Sequence, residues 1–375
     1  AASGDFAASS HTHAPSQITA GGATSGQILQ WNGSEWVPVT YSAGIGGSTG
    51  AADNALLRAD GAGGATVQSS GVTLDDSANL SAANWLVGSG VYSGRTYARF
   101  GAVGSNLAVI LSPTGTGFIS ANVPDGTATG GNLRGARAVD LTMSRAASFQ
   151  VASGDYSFSA GESNWVSVSG GMALGYTCTV AGANGFAGGN SAYAGGQTSV
   201  ALGHGVHAMG PHTFVHGLFG TADKYGQYSH SAGLFGSHGD AQYSRMVARV
   251  ATSNATPTNL FLDGASQRIT VPANSSGRAR IVIVARRATA TEESMTFERV
   301  VCWHRGVNAS TTTIHVQTIG TDIGRTGGAW GAGPAWTVSI TADTTNGSIG
   351  ASVTGAAATN IRWVATIEWT QDSYA

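Results

Sequence analysis

The chain has 375 residues, a formal net charge of −2 and only 10% charged residues, so it lacks the basic surplus that nucleic-acid binding exploits. No run approaches eighteen consecutive apolar residues, which argues against a membrane-spanning helix. Gly accounts for 56 residues, about twice the usual share, yet 42% hydrophobic residues and nine Trp argue against a disordered low-complexity chain.

The length allows two or three domains. The chain opens at Ala1 without a basic-plus-apolar signal region, and it is read as a fragment or as a chain whose start has been removed. Cys178 and Cys302 fall in segments assigned to different domains, so two ordinary buried thiols are expected rather than a disulfide.

Residues 1–50 are read as a separate N-terminal segment. His11 and His13 flank Thr12, and in a strand they share one face. One chain offers two imidazoles; three chains around an axis would offer six, enough for an octahedral ion such as iron or nickel. Ile28 to Trp31 and Trp36 to Val39 read as strands around Asn32-Gly33, a hairpin signal, with Trp31 and Trp36 placed to pack on each other or on a symmetry mate. Residues 51–149 read as a β-rich shaft of short strands between Gly and Asp turns. Asp75 and Asp76 are turn residues, because adjacent carboxylates in a strand point to opposite faces. Arg134, Arg137 and Arg145 are expected in solvent.

From Gln150 to Phe219 the chain repeats every seven residues, and Gly holds the fifth position in nine of ten repeats. The third position is small or β-branched throughout, and the second is usually large. A coiled coil is excluded, because Gly every seven residues costs a helix about 1 kcal/mol each. One short strand and one turn per seven fits instead, with Gly supplying a φ > 0 turn. Two sevens make one coil of a β-solenoid of about fourteen residues. The second and fourth positions face one way and the third the other. So thin a coil buries little, and neighbouring chains are expected to complete its core. Residues 220–244 lose the fifth-position Gly and read as a cap and connector.

Residues 245–375 contain nine strand-like runs separated by turn clusters, the pattern of an antiparallel β-sandwich or jelly roll. The stretch GTDIGRTGGAWGAGPAW, Gly320 to Trp336, is a long connection for such a domain. Long loops on rigid scaffolds often bind ligands. Arg325, Trp330 and Trp336 are therefore the candidate receptor-binding residues, with packing of both Trp in the core or on a threefold axis as the opposing reading.

The repeat SVALGHGVHAMG, Ser199 to Gly210, resembles the head repeats of trimeric autotransporter adhesins, in which three left-handed parallel β-rolls pack side by side; the same repeat occurs in bacteriophage tail fibres. HTHAPSQIT with GQILQWNGSEWVP, DNALLRADG with VQSSGVTLDDSANLS, and GNLRGARAVDLTMSRAAS resemble phage tail-fibre segments. NLFLDG with QRITVPANSSGRARIVIVARR resembles the C-terminal domain of phage tail proteins. Some phage fibre tips with His-x-His hold iron, which the resemblance extends to His11 and His13 alone.

These resemblances imply an all-β homotrimeric fibre: an intertwined β shaft, a left-handed β-roll of seven-residue repeats and a C-terminal β-sandwich as tip. They imply a virion tail protein that joins other tail or baseplate proteins and adheres to a host glycan or outer-membrane receptor. The alternatives are a bacterial trimeric adhesin head and a polysaccharide-depolymerising tailspike. No catalytic motif appears. Asp155 and Glu162, both at position six of neighbouring sevens, are the one carboxylate pair within the repeats, and catalysis is not expected from them.

Overall fold

The computed structural model describes Gly22, residues 24–40, the backbone of residues 55–60, 66–74 and 80–82, and residues 115–289, 292–331 and 333–374. His11, His13, Asp75 and Asp76 lie outside the described residues. The chain divides into two units, Ala1–Ala108 and Val109–Ala375.

In the first unit, Gln27–Trp31 and Trp36–Thr40 form an antiparallel hairpin in which Trp31 lies opposite Trp36. The two rings are 5.7 Å apart. Asn32 Oδ1 accepts bonds from the N–H groups of Ser34 and Glu35, the local chemistry that makes Asn a turn residue. A second sheet takes the order Ala55–Asp60, Thr66–Leu74, Leu80–Ala82.

Among its described residues the second unit is all-β apart from one three-residue 3₁₀ turn, Ala309–Thr311. Its organising element is a β-solenoid. Five-residue strands stack in parallel at a spacing of fourteen: Phe158–Glu162, Met172–Tyr176, Phe186–Asn190, Val200–His204, Phe214–Leu218 and Tyr228–Ala232. A second stack, Trp165–Val166 to Thr221–Ala222, carries the alternate sevens. Positions one and three point inward. Ala173, Ala187, Ala201, Val215, Val166, Val180, Ala194 and Ala208 are all fully buried, with Cys178, Ala192 and Val206 beside them. The interior is thus closed within a single chain, contrary to the expectation that neighbours complete it. Small side chains are what a coil this narrow can hold at interior density.

Each seven carries a left-handed residue at position seven. Tyr156, Ser163, Gly170, Thr177, Asn184, Ser191, Thr198, Gly205, His212, Phe219 and Gly226 all have φ between +50° and +67°. In alternate sevens the fifth-position Gly has positive φ as well: Gly161, Gly175, Gly189, Gly203 and Gly217 lie between +104° and +140°. In the other sevens, Gly154, Gly182, Gly196 and Gly210 answer a different need. At Gly196, whose φ is not positive, a Cβ would lie 1.9 Å from the carbonyl oxygen of Gly210 in the next coil. Gly there permits backbone contact between coils.

The solenoid exceeds the expected limits at both ends. Thr221–Ala222 and Tyr228–Ala232 add one more coil, with Ser231 in the place of Gly217; the cap begins only at Gly233. At the other end Ile119–Ser120 pairs with Val139–Ser144, which pairs with Phe158–Glu162. Arg134 and Arg145 are correspondingly not solvated. They are buried and clamp Asp140, at 2.7 Å from Arg134 Nε and 3.1 Å from Arg145 Nη2.

Beyond the cap, Ala241–Thr252 pairs antiparallel with Tyr228–Ala232 through three residue pairs: Tyr228 with Arg245, Ser229 with Ser244, and His230 with Tyr243. The solenoid sheet therefore continues into a C-terminal sheet of Ala241–Thr252, Ile361–Ser373, Ser275–Arg287 and Ser294–Arg305. A smaller sheet is centred on Ser348–Thr354, paired to Thr337–Asp343 and to Thr258–Asn259 and Ile269–Thr270. Both sheets contribute to one buried cluster that includes Trp363, Trp369, Phe297, Ile281 and Ile349. Eight of the nine strand-like runs overlap a strand by two residues or more; NLFLDG has only Asn259, at the end of Thr258–Asn259, and an isolated bridge from Phe261 to Arg249. Cys178 is buried and Cys302 is exposed, both unpaired, so only the first matches the expectation of a buried thiol. Burial pushes the Cys178 thiol up from its ordinary value.

Candidate functional site

The long connection Gly320 to Trp336 is not a bare loop. Ile323–Thr326 and Ala329–Gly331 form a hairpin around Gly327 and Gly328, whose φ values of +60° and +85° suit a two-residue type I′ turn. The hairpin extends the C-terminal sheet through the pairing of Ile323–Thr326 with Ser294–Arg305.

The hairpin separates the three candidate residues. Arg325 and Trp330 face each other across it, and the guanidinium lies 5.9 Å from the ring centroid. Arg325 Nη1 also pairs with Glu292 Oε2 at 2.9 Å. Trp330 is 69% exposed, a flat apolar surface held by a cation–π contact. Trp336 is a core residue, 4% exposed, with its ring 5.9 Å from that of Trp363. Its side chain is turned away from any surface a receptor can reach.

Near the same end of the sheet, a shallow depression of about 300 Å³ is lined by Arg286, Arg287, Ala288, Thr289 and Arg362. Sequence reasoning read IVIVARR only as a strand. Two adjacent Arg ending an apolar run were the available signal.

Asp155 and Glu162 do not form a pair. Sevens alternate between the two stacks, so Glu162 lies beside Tyr176 in one, while the seven of Asp155 joins the other through Ala152 and Val166. The Asp155 carboxylate accepts a bond from Ala136 N–H at 2.8 Å.

Histidines do come together where the solenoid ends. His216 and His230 are register partners in adjacent coils, with Nδ1 atoms 3.2 Å apart, and Tyr228 Oη lies 2.7 Å from His216 Nε2. His207 and His238 are likewise 3.2 Å apart at Nδ1, and His238 stacks on Phe219. Among the described residues, no group of three or more His, Cys, Asp or Glu is placed to hold a metal. Burial, and secondarily the facing imidazole, holds His207 and His216 below the usual histidine range. Between these depressed values and the unfolded value near 6.5, the unfolded chain binds more protons. Stability is therefore whole above about pH 6.5 and declines as pH falls below it. The thermal midpoint is expected to drop between pH 7.5 and 5.5. The double substitution His207→Asn/His216→Asn should flatten that drop.

Fold and site together define an all-β protein with a β-solenoid of about six turns that runs into an antiparallel C-terminal region with an exposed Arg–Trp hairpin. No family model matches the chain, and no curated protein matches it. Among solved structures it is similar to three tailspike proteins. One is from Acinetobacter baumannii phage AM24 (11% identity, TM-score 0.23). Another is gp49 of A. baumannii bacteriophage Fri1, a capsular polysaccharide depolymerase (9%, 0.21). The third is from Acinetobacter phage vB_ApiP_P1 (12%, 0.19). The alignments cover 58, 62 and 58% of this chain and 50, 54 and 47% of those, so the chain spans about half the length of each. At these TM-scores the likeness carries no assignment.

Proposed function

We propose that the chain is a phage tail protein, a tail fibre or tailspike-type adhesin, that attaches the virion to the host surface. The observation that carries this reading is the exposed Arg325–Trp330 hairpin, mounted on a sheet that continues from a rigid solenoid. A rod that ends in a presented aromatic is built to reach and to touch.

In this reading three copies associate. The support is the outward ladder at the second position, Phe158, Met172, Phe186, Val200, Phe214 and Tyr228, all half-buried or exposed in one chain. A contiguous ladder of large apolar side chains along one face is the kind of surface that marks a protein–protein contact. Residues 1–50 attach to other tail proteins, the β-sandwich of residues 245–375 is the tip, and three weak sites act by avidity. His11 and His13 remain the candidate metal ligands in such a trimer.

Light scattering of the whole chain in native buffer is expected to return about three times 37.6 kDa. Fluorescently labelled chain is expected to bind intact cells of a susceptible strain, and Trp330→Ala to reduce that binding several-fold at unchanged thermal midpoint. A monomeric mass, or equal binding by the variant, would overturn the corresponding part of the reading.

A further inference from the structure

The strand registers place five residues in one row across the C-terminal sheet. Trp330 lies opposite Arg325, Arg325 opposite Ser294, Ser294 opposite Arg286, and Arg286 opposite Arg362. Directly paired residues of an antiparallel ladder project from the same face, so three guanidiniums, one hydroxyl and one indole share it. Four inter-strand steps of about 4.8 Å make the row about 19 Å long.

The Arg286–Arg362 pair is electrostatically unfavourable. Like charges directly opposite each other destabilise a sheet. Neither guanidinium has a carboxylate within ion-pair distance among the described residues, whereas Arg287 and Arg325 pair with Glu293 and Glu292. Both side chains are exposed and line the depression at this end of the sheet. An anion laid between them relieves the repulsion, and the planar fork of Arg matches a carboxylate in two-point fashion. Trp330, at the far end, offers a face to the C–H surface of a sugar ring. The length of the row suits a chain of several units rather than a single small anion.

We propose that this row binds an acidic polysaccharide, a glycan chain bearing carboxylates, with Arg286 and Arg362 holding the acid groups and Trp330 stacking on a neighbouring ring. The proposal rests on the reading of the chain as a surface adhesin and names its receptor class.

The test is binding of the full chain to polygalacturonate, poly-L-glutamate and neutral dextran, followed by calorimetry at low and physiological salt. Polygalacturonate should bind best, with affinity falling as salt rises. Arg286→Gln/Arg362→Gln should weaken it at least tenfold without lowering the thermal midpoint, and Trp330→Ala should weaken polygalacturonate but not polyglutamate. Equal binding of neutral dextran, equal binding of polyglutamate, or full binding by the double variant would each overturn the proposal. Cells bound by a chain that ignores polygalacturonate would overturn it too, while leaving surface adhesion in place.

Discussion

Alanine at Gly189 is expected to destabilise the solenoid by about 3–5 kcal/mol, among the largest effects of any single methyl in this chain. Two costs add. Gly189 has φ +117°, a region that is essentially Gly-only and costs other residues about 1–3 kcal/mol. A Cβ there would also lie 2.2 Å from the carbonyl oxygen of Gly203, and forcing atoms into a packed interior costs typically 1–3 kcal/mol more. The obstacle is backbone of the next coil, which moves only if the coils separate. Gly188 provides the control. Its Cβ would meet the Leu202 Cδ2 methyl at 3.0 Å, a side-chain atom that can turn aside. Denaturant midpoints of the two variants should therefore differ clearly, with Gly188→Ala close to the parent. Similar midpoints would show that the coils tolerate separation.

The second large effect is expected at Asp140. Its side chain is fully buried between those of Arg134 and Arg145, which are buried as well, and it also accepts the N–H of Thr142 at 3.1 Å. Asp140→Ala leaves two guanidiniums in the interior without a counter-charge, the situation in which breaking a buried pair costs about 3–5 kcal/mol. Backbone carbonyls of Gly130, Asn132, Gln150 and Thr142 continue to accept from them, but carbonyls do not neutralise charge. The damage should concentrate at Val139–Ser144, the strand that covers the first coil. Hydrogen exchange should quicken there before it does in Met172–Tyr176. The exposed pair Arg280–Glu298, as close at 2.7 Å, gives the contrast: water screens it, and Glu298→Gln should leave the midpoint nearly unchanged.

Much of the solenoid was legible because a repeat exposes its own geometry. The alternation foretold that the third position faces away from the second and fourth, though not that the third is the inner one, and fourteen residues per coil is the register observed. The positive φ expected of the fifth-position Gly holds in alternate sevens only, and the left-handed residue at position seven was missed, for a physical reason. The left-handed residues Thr177, Ser191, Gly205 and Phe219 each donate their N–H to a carbonyl of the preceding coil, those of Glu162, Tyr176, Asn190 and His204. A ladder of such bonds imposes φ > 0 on Thr and Phe against their own preference, and local propensity does not reveal it.

The same frame, carried one coil past Phe219, predicts that His216 meets His230 fourteen residues on. The loss of the fifth-position Gly hid that continuation. His207 and His238 meet because a cap folds back, which no spacing encodes. In the C-terminal region, Arg325 and Trp330 drew attention as part of an unusual loop, whereas the juxtaposition of Arg286 and Arg362 required the strand register. Trp336 follows the opposing reading, core packing; a Gly-rich neighbourhood resembles a surface loop even where its last residue turns into the core.

The seam between solenoid and tip has a mechanical consequence. Tension along the stacking axis is borne in each coil by a five-residue ladder on one side and a two-residue ladder on the other. At the seam the backbone ladder has only three residue pairs, joined by side-chain bonds of Gln227 and Ser229 with Ser244, of Ser231 with the Ala241 carbonyl and of Gln242 with the Thr221 N–H. The seam therefore yields before the coils do, and yielding frees residues 233–240, about 26–29 Å of chain when extended. A load that would otherwise peel the solenoid is spent first on slack, and the parted strands remain tethered close enough to re-pair when the pull relaxes.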